Sequence, residues 1–458
     1  MTDQNILFKI HPLHKYHMVI AFCFALCLIG FYPGEMSPDA FSYLADAQNF
    51  SFAPVTPIFS LMWALLGEII KGPFSMLLLQ QMMLWGATTI FIDTWYKKFG
   101  NSKLLWIFIF IPFFPSIFKL SGILFKDVHF AFAYLLAFSI ISRFVLLQDK
   151  KPSIFLKLIV LLVILYGTGC KYQSIYLLPL MMFYYFFGLF SLRLRTNFIL
   201  ATLVSFLLSL SIIQLNSTIS GNQKQYGWQS IKLYDLLYIS AQKDRPLFPE
   251  YILQDRRIDF NKLLNQMRVD IRSFDDVIHY CHTSICMRTN EEESRALMDE
   301  WSKVVSHYPF TYLKGRMLMI FKIIYAPIHR YQLPLFANEN NNKILAGSVN
   351  KSLYNNFLTK SFWFYNKSFI WITPLLVCIP FLLFYLYISA KQLYRSYRPE
   401  ALVVFIMNIT GVFYSLVMMF TAVCFDFRYL FICHVLFHFS HPFAWVIIKQ
   451  YVKQKGKK

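Results

Sequence analysis

Charge is scarce in this chain. Asp, Glu, Lys and Arg make up 15% of its 458 residues, acids are outnumbered 24 to 44, and 57% of the sequence is hydrophobic. Together with 49 Phe and 28 Tyr, that poverty of charge excludes a soluble multidomain protein and describes a multi-spanning membrane protein. Familiar catalytic signatures are also missing. The sequence has no Gly-x-x-x-x-Gly-Lys loop, which removes an ATP-driven transporter, and no Gly-x-Ser-x-Gly elbow or His-Glu-x-x-His pair. Internal repeats, low-complexity tracts and long linkers are absent too. The first apolar stretch, Met18 to Phe31, lacks a small-x-small cleavage site and is expected to remain as a signal anchor.

The net charge of +20 does not point to nucleic acid, because the basic residues lie in short clusters between apolar runs. That pattern orients a chain in a membrane. Of the eight cysteines, Cys23, Cys27, Cys170, Cys378, Cys424 and Cys433 fall in or beside apolar runs and read as small fillers. Cys281 and Cys286 lie in a polar segment, where a local disulfide forms if that segment faces an oxidising compartment. No second Cys/His pair has zinc spacing, so no metal ligands are assigned.

The few acids are concentrated in places, first in the segment Gly34 to Asp46 just after the first apolar run. Ser37 suits an N-cap, Pro38 the first helical position and Asp39 the first turn, so a helix starts here with Asp39, Tyr43 and Asp46 on one face. Ile58 to Ile70, which contains Glu68, is short for a crossing and reads as an interfacial helix. Phe74–Trp95 then crosses toward Lys97, Lys98 and Lys103, and Leu104–Phe118 returns, kinked by Pro112 and Pro115. Val128–Leu147, Phe155–Thr168, Ile175–Leu192 and Phe198–Leu215 follow. Residues 216–367 form the long polar region, with helical periodicity at Phe260–Ile271 and Glu291–Val305 and a second interfacial helix over Leu318–Ile328, near 313–328. Phe369–Ala390, Ala401–Cys424 and Tyr429–Ile448 complete about ten crossings. The predicted class is an all-α multi-spanning membrane protein with outer-face interfacial helices and a mainly α periplasmic domain. Its parts are a transmembrane module over 1–215, the periplasmic domain over 216–367 and the last transmembrane helices over 368–458. Every inner loop is then basic, and both termini are cytoplasmic.

On this topology several ionisable groups collect at the outer face: Glu35, Asp39, Asp46, Lys126, Asp127, Lys171, Arg316, Asp426 and Arg428. The plain reading is that they pair among themselves, Asp127 with Lys126 or Arg428, as interfacial anchors. As a set, carboxylates beside cations suit an anionic lipid-linked substrate with an acid or base acting on it. His129 and His434, near the outer ends of crossings, read as satisfied polar residues.

Pro38-Asp39-Ala40-Phe41-Ser42-Tyr43, Pro57 before a short apolar helix, Lys126-Asp127 and Asp426-Phe427-Arg428-Tyr429-Leu430 come in an order that resembles the integral-membrane glycosyltransferases of the GT-C superfamily. In size and layout the chain resembles the bacterial members that modify lipopolysaccharide, including O-antigen glucosyltransferases. The resemblance implies a polyprenyl-phosphate-linked sugar donor, a periplasmic glycan or lipid acceptor, and a site on the periplasmic face of the bacterial inner membrane. It makes Asp39 the general base and Asp127 the second-loop acid that orients acceptor or metal. Lys126 and Arg428 hold the donor phosphate; predicted location alone, not the resemblance, adds Lys171 and Arg316 as further phosphate candidates and Glu35, Tyr43 and Asp46 as supporting residues. The resemblance also implies single displacement with inversion and leaves room for a divalent metal ion. The chain departs from the pattern at Thr56-Pro57, where many relatives carry His-Pro. Two other classes stay open: a polysaccharide polymerase or ligase, expected to depend on loop arginines, and a lipid-linked-sugar flippase, expected to show inverted repeats.

Overall fold

The structure is a computed structural model and describes residues 12–52, 57–148, 152–190, 194–221, 227–255, 258–269, 290–324, 375–395 and 398–455. Among these every regular element is helical, as an apolar solvent demands, since a helix satisfies its backbone groups within itself. The first half contains α1 (Pro12–Phe31), α2 (Pro38–Asn49), α3 (Pro57–Gly67), α4 (Phe74–Phe99), α5 (Leu104–Phe110), α6 (Pro115–Ser121), α7 (Lys126–Leu147), α8 (Ile154–Cys170), α9 (Leu178–Phe190) and α10 (Leu194–Ile219). The polar region supplies α11 (Trp228–Gln242), α12 (Glu250–Leu253), α13 (Phe260–Val269), α14 (Glu291–His307) and α15 (Pro309–Ile324). The chain closes with α16 (Leu375–Arg395), α17 (Pro399–Thr421) and α18 (Phe431–Lys455).

Among the described residues seven helices are long and apolar enough to cross a membrane, or eight if the bent pair Leu104–Phe113 and Pro115–Ser121 counts as one crossing. The sequence leads to about ten, and the difference lies in two helices. Ile154–Cys170 has 17 residues, about 25 Å at 1.5 Å per residue, against about 30 Å of hydrocarbon. Of the other, expected over Phe369–Ala390, residues 369–374 lie outside the described residues. The bend of 52° falls between Phe113 and Pro115, where Pro112 and Pro115 remove two backbone donors. Helix α3, with 11 residues, reaches only about 16 Å and cannot cross.

Helix α7 lies at the centre, packed against α4, α8, α9 and α18, while α17 and α18 pair beside it. Apolar on all sides, α7 is 78% buried over its most apolar stretch, whereas α10 is only 17% buried and turns Phe198, Leu203, Phe206 and Leu210 outward. Hydrogen bonds between helices replace water inside the bundle. Gln80 and Gln81 both donate to the Ser121 carbonyl (2.6 and 2.7 Å), the Tyr134 hydroxyl meets Thr168 (2.9 Å), and Asn408 donates to Ser440 (3.0 Å).

The two ends of the bundle differ in chemistry. At one end Lys98 meets Glu400 (3.5 Å) and donates to the Leu146 carbonyl, Arg398 donates to Gln450, and Tyr16 donates to Asn101. These contacts gather the start of α1, the ends of α4, α7 and α18 and the start of α17. The other end carries α2, α3 and the turns before α7, after α8 and before α18.

In the polar region α13 and α14 form where periodicity predicts helices, and both pack on α11. The expected interfacial helix starts earlier than its apolar run, at Pro309, and residues 325–328 of that expectation lie outside the described residues. Cys281 and Cys286 also lie outside them.

A short parallel bridge joins the first two connections at the α2 end. Glu35 N–H donates to the Gly122 carbonyl (2.9 Å) and Leu124 N–H to the Glu35 carbonyl (2.9 Å). Gly122 is required for this close approach, since a Cβ there would lie 2.3 Å from the Phe31 ring. Gly122→Val is expected to lower unfolding free energy by about 1–3 kcal/mol through overpacking. Gly67→Ala, whose Cβ meets nothing within 4 Å, should leave it within about 0.5 kcal/mol; thermal melts of the two purified variants compare them directly.

Candidate functional site

Helix α2 begins as its sequence dictates. Ser37 is extended (φ −84°, ψ 167°) and its Oγ accepts from the Ala40 N–H at 3.1 Å, so one orphan amide is satisfied. Asp39 follows in the first turn with its side chain 43% exposed. Tyr43, one turn on, is buried, its ring edge-on to Phe59 at 5.3 Å and beneath the Lys126 ammonium at 5.3 Å. Asp46 is half-buried in the last turn of α2, where its carbonyl accepts from Ser51 N–H.

The backbone bridge carries Glu35 inside, beside Lys119 of α6. It is 7% exposed, and among the described residues its Oε2 has no hydrogen-bond partner. Burial pushes its pKa up to about 8 against the partial pull of Lys119. Glu35 is therefore mostly protonated at neutral pH, a buried hinge of the two loops rather than a ligand for cations.

Helix α7 opens on Lys126 and Asp127. Asp127 sits in the first turn, where a negative charge suits the helix end, and it is 2% exposed. Its partner is Lys171, the extended residue that ends α8, and not Lys126 or Arg428 as adjacency and late position suggest. Lys171 is also buried, its ammonium 4.6 Å from the centre of the Tyr429 ring. Burial pushes the Lys171 pKa down, and the nearby Lys126 and Arg428 push the same way, while Asp426 pulls it back up; the ion pair with Asp127 acts in the same sense as Asp426. Among the described residues no carboxylate pairs with Lys126, which is partly exposed over Tyr43.

Arg428 lies in the turn Phe427–Leu430 that leads into α18. Asp426 caps this turn, accepting from Arg428 N–H at 2.9 Å, and its carboxylate meets Arg428 Nε at 2.8 Å. Arg428 Nη1 then reaches Asp39 Oδ2 at 2.7 Å, and the guanidinium lies 4.8 Å from the Phe125 ring centre. The arginine expected to hold a phosphate thus joins the first connection to the last. A hollow of about 230 Å³ lies between the later turns of α2 and α3, lined in part by Leu44, Ala47, Trp63, Ala64, Glu68 and Lys71.

Arg316 stands apart from these residues in its commitments. It is 0% exposed; Nε meets Asp235 at 2.7 Å, and its other nitrogens donate to the carbonyls of Ala422 (2.7 Å) and Ile231 (3.2 Å). Trp301 Nε1 donates to the second oxygen of Asp235 at 2.9 Å. The phosphate role expected for Arg316 therefore gives way to a structural one: it pins α11 and α15 to the end of α17. Proximity to an apolar run suggests an interface, but Asp235 is remote in sequence, so the pairing has no local signal. Asp426 and Lys119 are the other residues whose importance the sequence understates, although a lysine inside Ser116–Ser121 is itself a cue.

A divalent ion does not fit this donor set. Asp39 and Asp127 each already face a cation of the chain, Arg428 and Lys171, and Asp426 is likewise taken up by Arg428. No family model matches the chain, and neither a curated protein nor a solved structure matches it.

Two outcomes test these pairings. Because the folded pKa of Glu35 is raised from 4.5 to about 8, its stabilising contribution is complete below pH 4.5 and lost as pH rises through about 8. Glu35→Gln is expected to flatten that part of the melting-temperature profile between pH 4.5 and 8. Asp235→Ala, which strands the buried Arg316, is expected to cost about 3–5 kcal/mol of stability, measured by denaturation of the purified protein.

Proposed function

We propose that this chain is a multi-pass membrane glycosyltransferase, moving one sugar from a polyprenyl-phosphate donor to a glycan or lipid acceptor at the periplasmic face of the bacterial inner membrane. The observation that carries the reading is the convergence of Asp39, Lys126, Asp127, Lys171, Asp426 and Arg428 from four separate segments at one end of an apolar bundle. Three of those segments, all but the one that carries Lys171, are short motifs that resemble the GT-C superfamily. Support for the orientation comes from the opposite end, where Lys98, Arg398 and the tail of α18 gather, as expected of a cytoplasmic surface.

The chemistry needs a base for an alcohol and cations for a departing phosphate. Asp39 is the exposed carboxylate of the cluster, and Arg428 fixes it through Oδ2. It accepts the acceptor's hydroxyl proton as that oxygen bonds to the anomeric carbon, while the bond from that carbon to the phosphate oxygen breaks. The donor phosphate leaves as an anion and the configuration inverts. Lys126, without an internal carboxylate partner among the described residues, is the first phosphate contact, with Arg428 and Lys171 adding positive potential behind it. Asp127 positions Lys171.

The test is transfer of labelled sugar from a panel of synthetic polyprenyl-phosphate hexoses to extracted surface glycan by protein in lipid nanodiscs. Asp39→Asn retains an oxygen that accepts from Arg428, and it should lower kcat about 10²–10⁴-fold. Lys126→Ala should raise KM for the donor with a smaller change in kcat. Full transfer by a folded Asp39→Asn protein would remove the base assignment, and absence of any transfer by the wild type across donors would remove the reaction.

A further inference from the structure

Helix α18 carries three histidines on one face, His434, His438 and His441, spaced four and three residues apart along the sequence. That face packs against α16, which brings Cys378 to it. One donor atom from each of Cys378, His434 and His438 lies within 4.8 Å of the others. His434 and His438 are 2% and 4% exposed. Among the described residues neither nitrogen of His434 has a hydrogen-bond partner, nor has Nε2 of His438 or Nδ1 of His441. Aromatic rings close the space: Phe427 lies 4.6 Å from His434, Phe114 4.2 Å from His438 and Phe437 4.4 Å from His441, between centroids.

Imidazole nitrogens buried without partners are costly, most of all where no water can reach them. A thiol and imidazoles converging in such a place form a donor set of a particular kind. We propose that Cys378, His434 and His438 hold a zinc ion inside the bundle. Thiolate and imidazole are the ligands that zinc prefers, and a tetrahedral ion would set them about 3.3–3.6 Å apart, so small side-chain rotations close the observed spacing. His441 Nε2 lies 3.3 Å from His438 Nδ1. That contact fixes the ring and leaves His438 Nε2 as the ligand atom, the role an outer imidazole plays in a metal site. Binding displaces the Cys378 thiol proton, so the ion is held by one thiolate and two neutral imidazoles with a fourth position open to water. The ion would tie α16 to α18 just behind Phe427, the residue before Arg428. This site is separate from the proposed transfer reaction and stands or falls without it.

The test uses full-length protein in detergent, stripped with chelator and then dialysed against zinc or cobalt(II). Equimolar zinc retained by elemental analysis, and a thiolate-to-cobalt charge-transfer band in the near ultraviolet, are the expected results. Cys378→Ser should abolish the band, and His434→Gln with His438→Gln should weaken zinc binding at least tenfold while the melting profile of the metal-free protein stays cooperative. A wild-type cobalt spectrum without a thiolate band overturns the proposal with no variant needed. Equimolar zinc that persists undiminished in both variants does so too.

Discussion

Charge withdrawn from water must be paired, and at one end of this bundle that requirement determines which segments meet. Lys171 and Asp127 are both almost completely buried and neutralise one another between α8 and α7. Arg428 stands between Asp426 of its own turn and Asp39 of α2. Farther out, Arg316 and Asp235 do the same for the polar region, fixing it to the end of α17. Removing either member of a buried pair leaves a charge with no compensation, which costs far more than the intact pair contributes. The fold at this end is thus over-determined by electrostatics, in a bundle where lipid provides no hydrophobic drive between helices.

The same pairing gives the cluster its chemical character. Carboxylates that neutralised every cation would leave a structural knot and nothing more. Here Lys126 is left over a tyrosine ring, and Asp39 keeps much of its side chain in reach of solvent while Arg428 holds its other face. One accessible acid and one cation with no carboxylate partner among the described residues, set on helix starts, are what the proposed attack by an alcohol and departure of a phosphate requires. The backbone bridge from Glu35 to Gly122 and Leu124 secures the geometry, because it locks the two connections that carry Asp39 and Lys126.

Local features were legible in the sequence and distant partners were not. The Ser37 cap, the Pro112 and Pro115 bend and the helices at Phe260 and Glu291 each follow from signals within a few residues, and the structure has them where those signals lie. Crossing number was less legible, because Ile154–Cys170 falls at the edge of what a membrane needs. Partner choice was hidden altogether. Adjacency favours Asp127 with Lys126, yet the helix start turns Asp127 inward to Lys171 and leaves Lys126 over Tyr43. Arg316 looked interfacial because apolar residues follow it, and only packing of α15 on α11 reveals Asp235. His434 looked like an isolated polar residue because Cys378 reaches it from another helix.

The central claim is that the first and last connections of the chain act as one charged unit. A double-mutant cycle on unfolding free energy in mixed micelles, using Asp39→Ala, Arg428→Ala and the combined variant, tests it most directly. The account predicts a coupling energy of about 0.5–3 kcal/mol between these residues. Strictly additive effects of the two substitutions would contradict it.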